Sequence, residues 1–299
     1  EYVLSDTTVQ ENNITYPTYA KLCKKIIDQC NTIAAKEKIE QRQTYKRVSK
    51  QLVRDSYKSN HPKRRKKAQK AHRKIKTIAG KMVREIERHT GDKYREQLDI
   101  FHRVLTQQRN DHNKIYSLHK PDTACIAKGK TSKQYEFGNT FGIVLNPKNR
   151  VVLAIESFKG NPHDSKTIHP LIKQMQDNLE YKPREIVYDR GGRGSKEIDG
   201  VMISTPTKPS TSATAYQKQK QRKKFRRRAA IEPVTSHLKH SFRMAQNYHR
   251  IVNSSKINAM LAATGWNLSK WMDELVLQIK NWLYQIIGTS FEKSLILSY

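Results

Sequence analysis

Only three cysteines occur in 299 residues, Cys23, Cys30 and Cys125. An odd, scattered set builds no disulfide framework and suits a reducing compartment. Cys23 and Cys30 lie seven apart on one expected helix face, a spacing for core packing and not for metal. No run of about 18 apolar residues is present, which excludes a helical membrane span, and no secretory signal opens the sequence. Acids are scarce as well. There are 27 Asp and Glu against 58 Lys and Arg, a formal charge of +31 and a pI near 10.1. With 36% hydrophobic residues, a compact core must coexist with long solvated helices. Such an excess of cations makes a polyanion the first partner to consider, because clustered Lys and Arg gain affinity by releasing phosphate counterions. Charge names the partner and not the chemistry; a ribosome-binding or architectural protein would carry it too. The sequence has no initiator Met and starts in a strand-like segment, so it reads as an N-terminally truncated copy of something longer.

What is present divides into regions of different grammar. Residues 2–9 are rich in β-branched types and predict a strand. Thr15-Tyr16-Pro17-Thr18 breaks it and offers a helix start. Helical text follows to about residue 108, with apolar stripes at Leu22, Ile26, Cys30 and Ile33, at Ala68, Ala71, Ile75, Ile78, Met82 and Ile86, and at Tyr94, Leu98, Phe101 and Leu105. Narrow stripes on very basic helices predict a small bundle with one face left for an acidic partner. Beyond residue 115, strands are expected at 136–146 and 151–160 around an Asn-Pro-Lys-Asn turn. A helix at 164–179, capped by Asp164 or Ser165, comes next, then strands at 185–189 and 200–205 and helices at 233–242 and 257–287. The alternation argues for an α/β layered core. Its expected parts are a first strand within 1–14, an α-helical insertion over 15–110, the rest of the core over 111–256 and a helical tail over 257–299.

Three acids stand out by position. Asp6 lies in the first strand, Asp189 ends a later strand before a glycine-rich turn, and Glu232 opens a helix after a basic run. Phosphodiester chemistry with two metal ions about 4 Å apart needs carboxylates from separate elements at one point. Turn or cap roles for the same residues stay open on spacing alone. Asp122, Glu156 and Asp199 are reserve acids. The glycines of 191–194 lack the Gly-Lys-Ser/Thr ending of a phosphate loop; a turn that lets DNA approach Asp189 closely is the expected reason for them.

Phe225-x2-Arg228-x3-Glu232-x6-Lys239 resembles the Y-x2-R-x3-E-x6-K pattern of DDE-type insertion-sequence transposases of the IS-four and IS-five groupings. Asp6-Thr7-Thr8-Val9, Gly160-Asn161-Pro162-His163-Asp164-Ser165 and Val187-Tyr188-Asp189-Arg190-Gly191 are similar to other words of that family. The resemblance runs to about residue 275. It implies an RNase H-like mixed sheet flanked by helices, with the basic all-α insertion after its first strand. It further implies that Asp6, Asp189 and Glu232 are the catalytic acids and ligate Mg2+ or Mn2+, two ions together. Arg228 and Lys239 match positions that hold DNA phosphates, at i−4 and i+7 from Glu232, where one continuous helix would put all three on one side. Pro233 argues instead for a helix start or kink at Glu232, with the proline at the first helical position. Phe225 replaces the family's tyrosine, so a phenolic contact to phosphate is missing.

His163 could shuttle a proton or orient DNA, or simply lie in a loop. The basic runs around Arg64, Arg65, Lys66 and Lys67, and around Lys223, Lys224, Arg226 and Arg227, would neutralise phosphates without reading bases. Tyr16, Tyr45, Tyr57, Tyr135 and Trp266 are candidates for base stacking, though aromatic residues at helical spacing pack cores more often, Trp266 above all. The expected function is metal-dependent cleavage of transposon ends and strand transfer into target DNA. Its partners would be double-stranded DNA and a second copy of the chain, without a membrane, in a prokaryotic cytoplasm at the nucleoid. A non-catalytic or inactivated basic DNA-binding protein is the rival reading. The tail after about residue 275 reads as a packing or dimer helix, or as readthrough from a broken frame.

Overall fold

The computed structural model describes residues 2–57, 61–108, 110–127, 133–192, 194, 196–207, 210, 212–249 and 253–296, with side chains as far as residue 286. The last residues of the expected tail therefore lie outside the described side chains. The chain forms two compact units, one of residues 1–11 with 139–299 and one of residues 12–138.

The second unit is the helical one. Helix α1 (Tyr19–Lys36) starts where the Thr18 hydroxyl accepts the Lys21 N–H, and it buries Leu22, Cys23, Ile26, Ile27, Cys30, Ile33 and Ala34. The helical text is cut by turns into α2 (Lys46–Asp55), α3 (Pro62–Thr90) and α4 (Arg95–Thr106). Pro62 opens α3, where its missing N–H costs nothing, and Gly91 at φ 52° closes it. The expected seam is present: Ala68, Ala71, Ile75, Ile78, Met82 and Ile86 are all buried, in one core with α1 and with Leu98, Phe101, Val104 and Leu105 of α4. Removing a fully buried side chain such as Met82 or Phe101 would cost about 2–5 kcal/mol. Burial raises the thiol of Cys23 to about 11 and that of Cys30 to about 12, so both stay protonated core groups. A short strand not expected from the sequence, β2 (Ala124–Ala127), pairs antiparallel with Tyr135–Gly138, the opening of β3 (Tyr135–Leu145).

In the first unit the sheet is mixed. Besides β3 it contains β1 (Tyr2–Asn12), β4 (Val152–Phe158), β5 (Glu185–Val187), β6 (Glu197–Ile198), β7 (Val201–Ser204) and β8 (Gln246–Asn247). Among the described residues the order is β3-β1-β5-β7-β6, with β4 on β3 and β8 on β1. The β3–β4 hairpin is antiparallel, whereas β1, β5 and β7 run parallel. Helix α5 (Ile168–Leu179) covers one face through Leu171, Ile172 and Met175, together with Val3, Ile186 and Tyr188. The other face packs Leu4, Phe141, Ile143 and Val187 against α7 (Ile231–His240) and the first turns of α8 (Ser254–Ile296). Alternate residues of β1 thus serve opposite cores, as a buried strand requires. The free side of β4 is occupied by amide side chains. Gln174 bonds both backbone groups of Ile155 at 2.9 and 3.1 Å, and Asn267 both groups of Val152 at 2.8 Å. These amides stand in for a neighbouring strand and blunt an edge that could template aggregation.

Candidate active site

The parallel register of β1 and β5 positions two of the acids. Tyr2 pairs with Glu185, Val3 with Ile186 and Leu4 with Val187. Two residues further along each strand come Asp6 and Asp189, level with one another and on the same side of the sheet. Asp6 lies inside β1, while Asp189 follows the end of β5. Arg228, the last residue of α6 (Ala215–Arg228), reaches Asp6 from that side, with Nη1 donating to Oδ2 at 3.2 Å. The other oxygen of Asp6, Oδ1, accepts the Thr7 N–H at 2.8 Å. Asp189 Oδ1 accepts the Gly191 N–H at 2.7 Å. Asp189 therefore also holds its local turn, as isolated aspartates do.

A third carboxylate joins them from the opposite side. Asp164 Oδ1 accepts the Thr7 hydroxyl at 2.9 Å. A Cβ placed on Gly191 would lie 2.1 Å from Asp164 Oδ2 and 3.0 Å from Asp189 Oδ1. The two carboxylates therefore flank one glycine. Burial is the main reason the Asp6 carboxyl is raised from 3.8 to about 6. Arg228 and the Thr7 N–H pull it down, and Asp189 and Asp164 push it back up.

Three expectations need correction here. Asp164 does not cap the 164–179 helix. The segment opens with a 3-10 turn over Asp164–Thr167 whose N-cap is His163, its ring accepting the Ser165 N–H at 3.3 Å. The ring is thereby used for capping, and Asp164 is free to turn toward Thr7. Gly191 and Gly192 also have a reason other than the approach of DNA. Gly191 makes room for the Asp164 carboxylate, and a Cβ on Gly192 would meet the Tyr188 ring at 2.6–2.8 Å. Tyr188 is itself fully buried, its hydroxyl 3.1 Å from that of Thr167. The expected break near Glu232 is present: α6 ends at Arg228 and α7 begins at Ile231, so Arg228 lies on a different helix from Glu232 and Lys239. Finally, Pro233 is the third residue of α7 and not the first. Its ring would strike the carbonyl of Ala229 in an unbroken helix, so the break falls there.

Glu232 is the second residue of α7 and is exposed. The structure brings Asp6, Asp189 and Asp164 together and leaves Glu232 at the solvent-facing start of its helix. Among the described residues no three acids, histidines or cysteines are already arranged to hold a metal ion. The reserve acids are engaged elsewhere in part: Glu156 pairs with Lys256 at 2.9 Å and Asp199 with His169 at 2.6 Å. Lys239 is half-buried on α7. In the basic run, Lys223, Arg226 and Arg227 are exposed, with Arg227 3.2 Å from the Tyr2 hydroxyl, while Lys224 turns inward to Glu185. A cleft of about 570 Å3 opens next to Gly192, lined by Lys196, Ser204, Lys220, Lys224 and Phe225. The ring of Phe225 is partly buried against the core beneath α7, a place that suits phenylalanine without a hydroxyl. In the helical unit, Arg64, Arg65, Lys66 and Lys67 are all exposed on the first turns of α3. Tyr16, Tyr57 and Tyr135 are exposed, whereas Trp266 is packed between Phe242 and the His237 ring.

A mixed sheet flanked by helices, with one acid inside β1 and another just past the end of the neighbouring β5, defines an RNase H-like α/β core. Residues 114–268 match the model of the transposase DDE domain, so the chain belongs to the DDE transposases. No curated protein and no solved structure matches the chain. Among the described residues no helix is long and apolar enough to cross a membrane.

The donor set fits the divalent ions this family uses. Asp6, Asp189 and Asp164 offer only carboxylate oxygen, which suits hard cations such as Mg2+ and Mn2+.

Proposed function

We propose that this chain nicks the ends of a transposable element and joins them to target DNA, with Asp6, Asp189 and Glu232 as ligands for Mg2+ or Mn2+, in a pair. In the first step a water oxygen bonds to phosphorus and the bond to the 3′ oxygen breaks, leaving a 3′-hydroxyl and a 5′-phosphate. In the second, that 3′-hydroxyl bonds to a target phosphorus and a target 3′ oxygen leaves. The cations supply activation of the attacking oxygen and charge neutralisation at the leaving one. The chain's own residues do the positioning. Arg228 holds Asp6 in place, and a cation bound at that carboxylate would release the guanidinium to a DNA phosphate. Asp164, through the Thr7 hydroxyl, fixes the strand that carries Asp6. Lys239, Lys223, Arg226, Arg227 and His163 line up phosphates, and the exposed cations of α3 add affinity without reading sequence. Two copies act together on the two ends, on the chromosomal DNA of a prokaryotic cell.

The observation that carries this reading is the parallel β1–β5 register, which sets Asp6 level with Asp189 although 183 positions separate them. The test is a nicking assay on supercoiled DNA with and without Mn2+. Asp6→Asn, Asp189→Asn and Glu232→Gln keep size and remove charge, so each should abolish nicking while DNA binding persists. Near-normal cleavage by any one of them removes that residue from the site. Metal-independent binding with no nicking by the unaltered chain would leave only a DNA-binding protein.

A further inference from the structure

Helix α6 carries eight bases and no acid, yet it lies against the sheet without one fully buried residue. Its inner face is Lys218, Gln221, Lys224, Phe225 and Arg228, half-buried and at helical spacing. A cleft of about 570 Å3 lies between Gln217, Lys220 and Gln221 of this helix and the wall formed by Gly192, Lys196 and Ser204. That lining includes three lysines and no acid, so it repels the helix. Among the described residues two ion pairs hold α6 to the sheet. Arg228 meets Asp6 at 3.2 Å, and Lys224, one turn earlier on the same face, meets Glu185. The Lys224 and Glu185 side chains are 26% and 15% exposed, so neither charge is well solvated without the other. The Ser204 hydroxyl donates to Glu185 Oε1 and lies 3.4 Å from Lys224 Nζ. Glu185 sits opposite Tyr2 and Met202, on the face of β5 that also carries Val187.

We propose that Glu185 is a positioning residue for Arg228: through Lys224 it seats α6 on the sheet and keeps Arg228 at the site once a cation has released it from Asp6. The inference rests on the proposed function in taking Asp6 as a metal ligand. A cation at Asp6 ends the Arg228 ion pair, while the like charges of α6 continue to repel one another. The Lys224–Glu185 pair lies outside the metal set and therefore outlasts metal binding. Arg227 bonds the Tyr2 hydroxyl at an exposed place, where water competes for both groups. The Phe225 ring is only partly buried. Helix α7 needs no such anchor, because Ile231, Val234 and Leu238 bury one of its faces. Loosening α6 thus displaces Arg228 and leaves Glu232 where it is. Lys224 is accordingly part of the frame and not a phosphate contact, unlike its exposed neighbours Lys223 and Arg226.

The test uses the whole chain with Glu185→Gln, which keeps an oxygen for the Ser204 hydroxyl and loses the charge. Lys224→Gln breaks the same pair from the helix side and should behave alike, so a folding defect in either variant leaves the other to decide. Asp177→Asn, exposed on α5, makes the same change in net charge as Glu185→Gln and should match the parent. Hydrogen exchange with Mn2+ present, read by mass spectrometry, should quicken on the order of tenfold over 215–228 and stay slow in β5, β7 and α7. Nicking at saturating DNA and Mn2+ should slow by about tenfold to a hundredfold, with little change in the DNA concentration that gives half the maximal rate. In a chain already carrying Arg228→Ala, Glu185→Gln should add little further loss, and the reversed pair Glu185→Lys with Lys224→Glu should recover most of the rate. Three results would overturn the proposal: parent-like exchange over 215–228, equal slowing with and without Arg228, or a Lys224→Gln variant that loses DNA affinity but keeps the saturated rate. Exchange needs no activity and judges the anchor by itself. A chain that exchanges as expected but never nicks sinks the function alone, and Glu185→Gln that nicks like the parent sinks the positioning role alone.

Discussion

Reversing the charge of Arg64, Arg65, Lys66 and Lys67 together, each to Glu, tests whether the helical unit grips DNA. All four side chains are exposed on the first turns of α3, and the buried stripe begins only at Ala68 and Ala71, 0% and 3% exposed. Helix α3 has no acid in its first turn and no side-chain cap. Glutamates at 64 and 65 therefore meet the positive end of the helix dipole favourably, by about 0.3–1 kcal/mol each. Against this, Lys67 loses its 2.9 Å pair with Asp55, an exposed contact that solvent screens. The effects are small and of opposite sign, so the variant should remain folded and melt close to the parent. Binding should change greatly. Each phosphate contact contributes about 0.9 to the slope of log affinity against log salt. Loss of four contacts should therefore shrink the drop in affinity between 50 and 200 mM salt by about 150-fold, and loss of three by about 40-fold. The smaller figure would mean that Asp55 already occupies Lys67. Fluorescence anisotropy with several unrelated duplexes over a salt series reads the slope, and all duplexes should be affected alike. An unchanged slope would make these cations a solvated face only, and an unfolded variant would mean the α3 stripe is misassigned.

The remaining predictions concern the first unit. Because the Asp6 carboxyl is raised to about 6 in the folded protein, folding favours its protonated form. The stabilisation is complete below about pH 4 and is lost as pH rises through 6. Asp6→Asn should then be more stable than the parent at pH 7 by on the order of 2–3 kcal/mol, with a flatter stability–pH curve in metal-free urea unfolding; an equally steep curve would refute the burial of that charge. Arg228→Ala removes the cation that lowers the Asp6 carboxyl. It should move the acid limb of Mn2+ binding, measured by calorimetry, to higher pH and slow nicking without abolishing it; an unmoved limb would show that the 3.2 Å contact has no electrostatic effect. Gly191→Ala should cost about 1–3 kcal/mol by overpacking, and Asp164→Ala in the same chain should recover most of it. Strict additivity in that double-mutant cycle would contradict the 2.1 Å clash. Trp266→Ala should cost about 3–5 kcal/mol, since the ring is 7% exposed and its N–H donates to the Arg150 carbonyl at 2.8 Å; a loss below 1 kcal/mol would return it to the surface.

Local pattern was sufficient for much of this protein. The period of Ala68, Ala71, Ile75, Ile78, Met82 and Ile86 foretold the buried face of α3, because a helix repeats its faces over a few residues wherever it packs. The Asn-Pro-Lys-Asn turn foretold the β3–β4 hairpin, and four separated words foretold the family. Strands of two to four residues, β2, β6 and β8, left no readable period, since they form only when a neighbour supplies their hydrogen bonds. Distant meetings were equally out of reach. The sequence singled out Asp6 and Asp189, but their shared level follows from a strand register that only the folded sheet sets. It offered Asp164 as a helix cap; tertiary structure gave the cap to His163 and turned Asp164 to Thr7, 157 residues away. Pro233 announced the break between Arg228 and Glu232, but its place as the third residue of α7, with the break at the Ala229 carbonyl, was decided by the fold. Periodicity and turn chemistry are properties of neighbours in the chain, so the sequence determined them. Which carboxylates face each other depends on register, caps and helix breaks acting together, and only the packed structure decides that.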